Sequence, residues 1–307
     1  MEDLMRVCRE FRIGRLQEVE DILGGGYING NLKIRTTKGS FVVRIFLRKV
    51  EEARLHYAYS IVSKLAEEGV PALLPLLNTE GLSYTNYKEF VVQITPFVEA
   101  SRFQWVPRQA YFSGKTLRRM HDTLIGIGNG PKSTGVYHYF RLNPATMIQE
   151  LIKDGHTLPN HEGNAIDDFY RLLETSAINK SNLPKTIIHG DWNPSNQLFN
   201  ENNEICSFMD FDTLQQGERV FDVAYALYFF LIQRRNKMVT QEFLKGYGPL
   251  TQEEIEVLPF LIAKIGLHFG ILVKSGEFQF ERNLDQLQWV ISEQGRNTVQ
   301  EFCIRDS

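Results

Sequence analysis

Cysteine is scarce: Cys8, Cys206 and Cys303 are the only three in 307 residues, and they lie far apart. They form no metal-ligand spacing and leave one thiol over in any disulfide scheme, so reduced thiols in a cytoplasmic protein are the simplest expectation. A long hydrophobic run is also missing. The most apolar stretch, Val220 to Ile232, is interrupted by Asp222 and is too short to span a bilayer. Met1 to Arg15 is charged throughout and lacks the apolar core of a signal segment. Nor does one sign of charge dominate. The formal net charge is −3, with 13 basic and 13 acidic side chains in residues 1–100 and 21 and 24 in residues 101–307. No nucleic acid and no membrane is expected as a partner. Repeats and low-complexity segments are absent. The length suffices for one large domain or two lobes with separate cores.

What is present begins as a small sheet with one helix. Residues 2–23 read as a short amphipathic helix leading into a strand. Gly24-Gly25-Gly26 interrupts regular structure. Leu32 to Thr36 alternates apolar and polar, Thr37 to Ser40 makes a hairpin turn, and Phe41 to Phe46 returns. A helix over 50–68 ends at Gly69, with Pro71 beyond. Short strands are expected near 74–78 and 82–85, and another from Phe90 to Thr95. From residue 97 onward the pattern turns helical: 111–121, 145–153, 164–176, 220–235, 240–246, 252–273 and 284–302. The exception is 186–213, where Thr186-Ile187-Ile188 and Glu204 to Met209 read as strands flanking a loop.

That loop carries the chemistry. His189-Gly190-Asp191-Trp192-Asn193-Pro194-Ser195-Asn196 sets an acid and an amide five residues apart, and Asp210 follows at the end of an apolar run. Phosphoryl transfer needs positioning and charge neutralisation more than covalent chemistry. Asp191 is the candidate to orient an acceptor hydroxyl and take its proton. Magnesium prefers hard oxygen ligands and keeps some of its waters, which suits the Asn196 amide oxygen and the Asp210 carboxylate. Asp, Asn, Pro and Gly are also ordinary turn residues. Their combination with His189, and the spacing to Asp210, favours the functional reading.

These motifs resemble the aminoglycoside phosphotransferase and choline-kinase-like superfamily, which shares the bilobal fold of protein kinases. The resemblance is specific over 187–226. His189, Asp191 and Asn196 match its His-x-Asp-x-x-x-x-Asn motif, Asp210 matches its metal-binding acid, and Asp222 resembles its downstream structural Asp. More weakly, Gly26 to Asn31 looks like its nucleotide-covering loop, Pro96 to Glu99 like its hinge, and Gly114 to His121 like the helix opening its second lobe. The resemblance implies an α+β, kinase-like fold, with a β-rich nucleotide-binding lobe over 1–96 and a mainly helical catalytic lobe over 97–307. It also implies ATP and magnesium as cofactors and a small-molecule hydroxyl as substrate. Gly25, Gly26, Asn31 and Arg44 are expected at the nucleotide phosphates, with Thr95 and Phe97 near the adenine.

Several points stay open. The glycine run reads as a phosphate lid or as a plain turn. Arg44 stands where the family usually has lysine; it keeps the charge and adds a rigid donor fork. Its acidic partner on the following helix is unassigned, with Glu51 and Glu52 near the helix start. His189 is expected to hold the loop rather than act as a base, and Asp212 reads equally as a site acid or a solvated one. Phe103, Trp105, Tyr137, His138, Tyr139 and Phe140 could form an aromatic cage but read more simply as packing. Tyr225, Tyr228, Phe229 and Phe230 read as core. The text around Asn31 and 41–46 looks nearer to the homoserine-kinase-like branch than to resistance enzymes. The balanced charge gives no support for a polycationic aminoglycoside. The rival readings are an aminoglycoside-type kinase, a non-catalytic nucleotide-binding member of the fold, a protein kinase (disfavoured by the lack of Ala-Pro-Glu) and a metal-dependent hydrolase (disfavoured by the lack of clustered histidines). The oligomeric state is not indicated.

Overall fold

A computed structural model describes residues 2–22, 29–131, 182–272 and 280–304, with Thr146, Gln149, Phe169, Leu172 and Leu173 between them. The expected helices at 145–153 and 164–176, the aromatics at 137–140 and the glycine run lie wholly or mostly outside the described residues. The chain divides into two compact units. One comprises Met1–Ser101 with Cys206–Met209, and the other Arg102–Ile205 with Asp210–Ser307. The first is β-rich and the second mainly helical, a mixed α+β architecture. Among the described residues no helix is long and apolar enough to cross a membrane.

The first unit is built on a five-stranded antiparallel sheet. It contains β1 (Leu16–Ile22), β2 (Asn29–Thr36), β3 (Gly39–Phe46), β4 (Thr85–Tyr87) and β5 (Phe90–Pro96), in the order β1-β2-β3-β5-β4. Alternation puts Ile34, Val43, Val92 and Ile94 on one face. There they meet Leu4, Val7 and Cys8 of α1 (Glu2–Glu10), residues spaced to share one helix face. Each fully buried Ile, Leu or Val contributes about 1.5–3 kcal/mol. α2 (Glu52–Glu67) follows β3 and ends at Gly69, whose φ of 69° closes the helix while Val70 N–H donates to the Leu65 carbonyl.

Neither of the short strands expected at 74–78 and 82–85 forms as read. The Asn78 side chain accepts from the N–H groups of Glu80 and Leu82, both at 2.9 Å, so the chain turns there, and the paired strand begins only at Thr85. Phe208, near the end of β9 (Ile205–Phe208), joins this unit through a bridge to Ala72.

The second unit follows β6 (Ser101–Arg102) with α3 (Pro107–Thr123), β7 (Lys185–Ile188), β8 (Gln197–Phe199) and β10 (Gln215–Glu218). β7 and β10 pair antiparallel, Ile188 opposite Gln215. Then come α4 (Val220–Leu227), a π-helical turn (Tyr228–Gln233), α5 (Lys237–Tyr247), α6 (Gln252–Leu272), α7 (Phe280–Ile291) and α8 (Glu293–Ile304). Reciprocal glycines bring α3 and α5 together. A Cβ on Gly114 would lie 2.0 Å from the Phe243 carbonyl, and one on Gly246 would lie 1.9 Å from the Tyr111 carbonyl. The single helix expected over 284–302 is broken at Ser292. Its hydroxyl accepts from Gly295 N–H at 3.2 Å and restarts the helix as a cap would.

Candidate active site

The loop between β7 and β8 is anchored from below by Asp222, in the first turn of α4. Its wholly buried carboxylate accepts from His189 N–H at 2.7 Å and from Gly190 N–H at 2.8 Å. It also lies 3.0 Å from His121 Nε2, and the His121 Nδ1 lies 2.9 Å from the Tyr247 hydroxyl. Burial holds the Tyr247 phenol far above its ordinary pKa. The close approach of α3 and α5 therefore places His121 and Tyr247 in one buried chain that ends on the loop backbone. Gly190 has φ 79°, and a Cβ there would meet the Thr213 carbonyl at 2.8 Å. That one position requires glycine twice over.

His189 is fully buried. Its Nδ1 accepts from Asp191 N–H at 3.3 Å, and its ring packs edge-on against Trp192 at 5.4 Å. Trp192 is pinned by its indole N–H, 3.1 Å from Ser113 Oγ. His189 is thus a brace inside the loop, and Asp191, two residues on, is half-buried.

The Asp191 carboxylate is held by its neighbours. Asn193 Nδ2 donates to one oxygen at 2.7 Å and Asn196 Nδ2 to the other at 2.9 Å. Asn196 Nδ2 also donates to the Asp191 carbonyl at 3.0 Å. Tyr225, from α4, is close enough to the same carboxylate to interact with it electrostatically. Desolvation, and then the charge of Asp210, raise the Asp191 pKa to about 7 against these donors. Asp210 itself has φ 72°, a left-handed backbone unusual outside glycine, of the kind that clusters at functional sites. Asp212 is exposed.

This donor set fits a hard divalent cation. The Asn196 amide spends its nitrogen on Asp191, which leaves its oxygen for a metal, and two carboxylates that repel each other are relieved by a cation. Among the described residues no cluster of three or more His, Cys, Asp or Glu could hold a metal. Magnesium does not need one, since one or two carboxylates and substrate phosphates suffice.

The residues expected at a nucleotide lie in the first unit. Arg44 on β3 is half-buried, in register between Asn31 of β2 and Gln93 of β5, with its guanidinium 5.2 Å from the Phe46 ring. Thr95 pairs with Val42, and Phe97 N–H donates to the Ser40 carbonyl at 3.0 Å. Lys33, paired with Glu20 at 2.8 Å, lies over the Phe97 ring at 4.1 Å. Burial, and then the nearby Glu52 charge, raise the Tyr84 pKa. Gly25 and Gly26 lie outside the described residues. The sequence reading missed one contributor to the loop: Asn193, visible there only as a turn residue, whose side chain donates to Asp191.

Comparison with known proteins agrees with this arrangement. A family model described as the phosphotransferase enzyme family matches residues 21–258. A homoserine kinase from Rhodopseudomonas palustris (strain BisB18) is 27% identical over 282 residues, covering 87% of this chain and 82% of that protein. Among solved structures, an amicoumacin kinase in complex with AMP-PNP and Ca2+ superposes with a TM-score of 0.69 at 15% identity, over 97% of this chain and 92% of the other. A microcompartment-associated aminopropanol kinase gives 0.67 at 13% identity, over 98% and 97%. At these identities the two structures speak for the fold, which is protein-kinase-like.

Proposed function

Because the chain belongs to the phosphotransferase enzyme family and is a small-molecule kinase, we propose that it moves the terminal phosphoryl group of ATP onto a hydroxyl of a small amino acid or amino alcohol, with homoserine as the first candidate. The observation that carries this reading is the Asp191 carboxylate, fixed by Asn193 and Asn196 beside Asp210. In the proposed reaction the acceptor oxygen bonds to the terminal phosphorus, the bond from that phosphorus to the bridging oxygen breaks, and the hydroxyl proton passes to Asp191. Asn196 and Asp210 would hold magnesium, which when bound neutralises the phosphate charge. With its charge offset by the cation, Asp210 would raise the Asp191 pKa less, which favours the ionised form that accepts a proton. Arg44 and Asn31, with Gly25 and Gly26, are the proposed phosphate contacts, and Thr95 and Phe97 the proposed adenine contacts. The similarity to homoserine kinases over most of both chains supports the acceptor class. Three free thiols and the need for ATP favour a cytoplasmic setting.

The test is ATP consumption across L-homoserine, aminopropanol, ethanolamine, choline, sugars and spectinomycin. Turnover with homoserine or an amino alcohol is expected. No turnover with any acceptor, together with no thermal shift on adding ATP·Mg, would establish a non-catalytic member of the fold.

A further inference from the structure

Asn193 stands two residues past Asp191, and its side-chain amide can face only one way. Its Oδ1 accepts from Ser195 N–H at 2.8 Å and from the Ser195 hydroxyl. A backbone N–H only donates, so the atom it meets is the amide oxygen and the nitrogen points the other way. There Nδ2 donates to one Asp191 oxygen at 2.7 Å, while the Asn193 backbone N–H donates to the Asp191 carbonyl at 2.9 Å. Asn196 Nδ2 donates to the second Asp191 oxygen at 2.9 Å. Each asparagine holds one oxygen, and together they fix the plane of the carboxylate.

Two other side chains hold the turn that carries Asn193. Arg102, 93 positions from Ser195, donates through Nη1 to the Ser195 carbonyl at 2.5 Å. Gln197, 1% exposed, donates through Nε2 to the Asn193 carbonyl at 3.1 Å. Its Oε1 is buried without a partner among the described residues. A buried amide with an unpaired oxygen carries a desolvation cost, so Gln197 adds little to stability. What it supplies is one bond, and that bond ends on Asn193.

We propose that Asn193 is a positioning residue for phosphoryl transfer: its amide, set by Ser195 and braced by Gln197, aims the Asp191 carboxylate at the acceptor hydroxyl. A carboxylate offers about four lone-pair positions. The two asparagine amides occupy one on each oxygen. The group therefore cannot turn about its own bond without breaking both contacts, and its open positions keep one direction. A carboxylate held in that direction meets the hydroxyl without a search, which is the gain that orientation brings to a transfer reaction. This inference rests on the reading of Asp191 as the acceptor of the substrate proton.

Asn193 also shapes the turn through its oxygen, and Asn193→Asp separates the two roles. That variant keeps the shape and the acceptor for Ser195 N–H, and it replaces the donor to Asp191 with a second carboxylate oxygen. Assayed with ATP·Mg and either L-homoserine or aminopropanol, its kcat should fall about tenfold to a hundredfold, as for a lost hydrogen bond to a charged group. Both KM values should stay within about twofold, the pattern of an interaction that serves the transition state. Gln197→Met keeps the volume and should lower kcat by less, with the urea midpoint unchanged or raised. A crystal structure of Asn193→Asp should show the Asp191 carboxylate turned out of its wild-type plane, and that readout decides alone if neither acceptor turns over. Wild-type kcat in Asn193→Asp beside an impaired Asn193→Ala would make Asn193 a turn residue only and overturn the proposal. A raised KM for ATP at unchanged kcat would place Asn193 at the nucleotide and also overturn it. Wild-type kcat in Gln197→Met, or a loss there matched by lost stability, would overturn the bracing by Gln197. An inactive Asp191→Ala beside an unimpaired Asn193→Asp would leave the reaction itself standing, while full turnover in Asp191→Ala would remove both.

Discussion

The loop His189–Asn196 and the five-stranded sheet hold their candidate residues in opposite ways. In the sheet, Asn31, Arg44 and Thr95 are placed by backbone register: each sits opposite a partner strand, and the ladder would stay the same with other side chains. In the loop there is no ladder. His189 and Gly190 are placed by side chains from elsewhere in the sequence, namely Asp222 and Thr213, and behind Asp222 stand His121 and Tyr247. A register tolerates substitution of the residue it displays. A bracket of buried polar groups does not, because each lost partner strands another group in a place water cannot reach.

That difference can be broken most visibly at Asp222. Asp222→Ala leaves two loop N–H groups and His121 without their acceptor, and should cost about 3–5 kcal/mol of stability in urea unfolding. Activity should be lost in whatever fraction stays folded. An Asp222→Ala protein as stable as wild type would mean that the loop is held by something other than this bracket.

The second effect is one of pH. In the metal-free protein the Asp191 pKa is raised from 3.8 to about 7, so between these values the folded state binds a proton that the unfolded state has released. Raising the pH through that window therefore removes stability. The melting temperature should fall more steeply between about pH 4 and 7 in wild type than in Asp191→Asn, and magnesium with ATP should reduce the excess. Parallel curves for the two proteins would show that burial and Asp210 do not strain this acid.

The smallest effect is expected in the sheet. Arg44→Lys keeps the charge and the register but loses the donor fork, so stability should change by no more than about 0.5 kcal/mol, with the KM for ATP raised a few-fold. A large loss of stability there would mean that Arg44, like Asp222, is part of a bracket.

The same contrast governs what could be read in advance. The hairpin of β2 and β3 was legible because alternation and turn chemistry are local, and so was the His189–Asn196 loop, whose acid and amides fall within eight residues. The expected strands at 74–78 and 82–85 failed because one asparagine side chain turned the backbone, and the long helix at 284–302 failed because Ser292 could cap a new start.

The sequence by itself determined the kind of site: a local run of acid and amides at fixed spacing, a downstream acid after an apolar strand, and strands whose alternation assigns them a face. Tertiary structure alone decided how that site is held. Which acid braces the loop and which glycines let two helices touch depend on distances between residues far apart in the chain. Those distances follow from packing, and no local pattern records them.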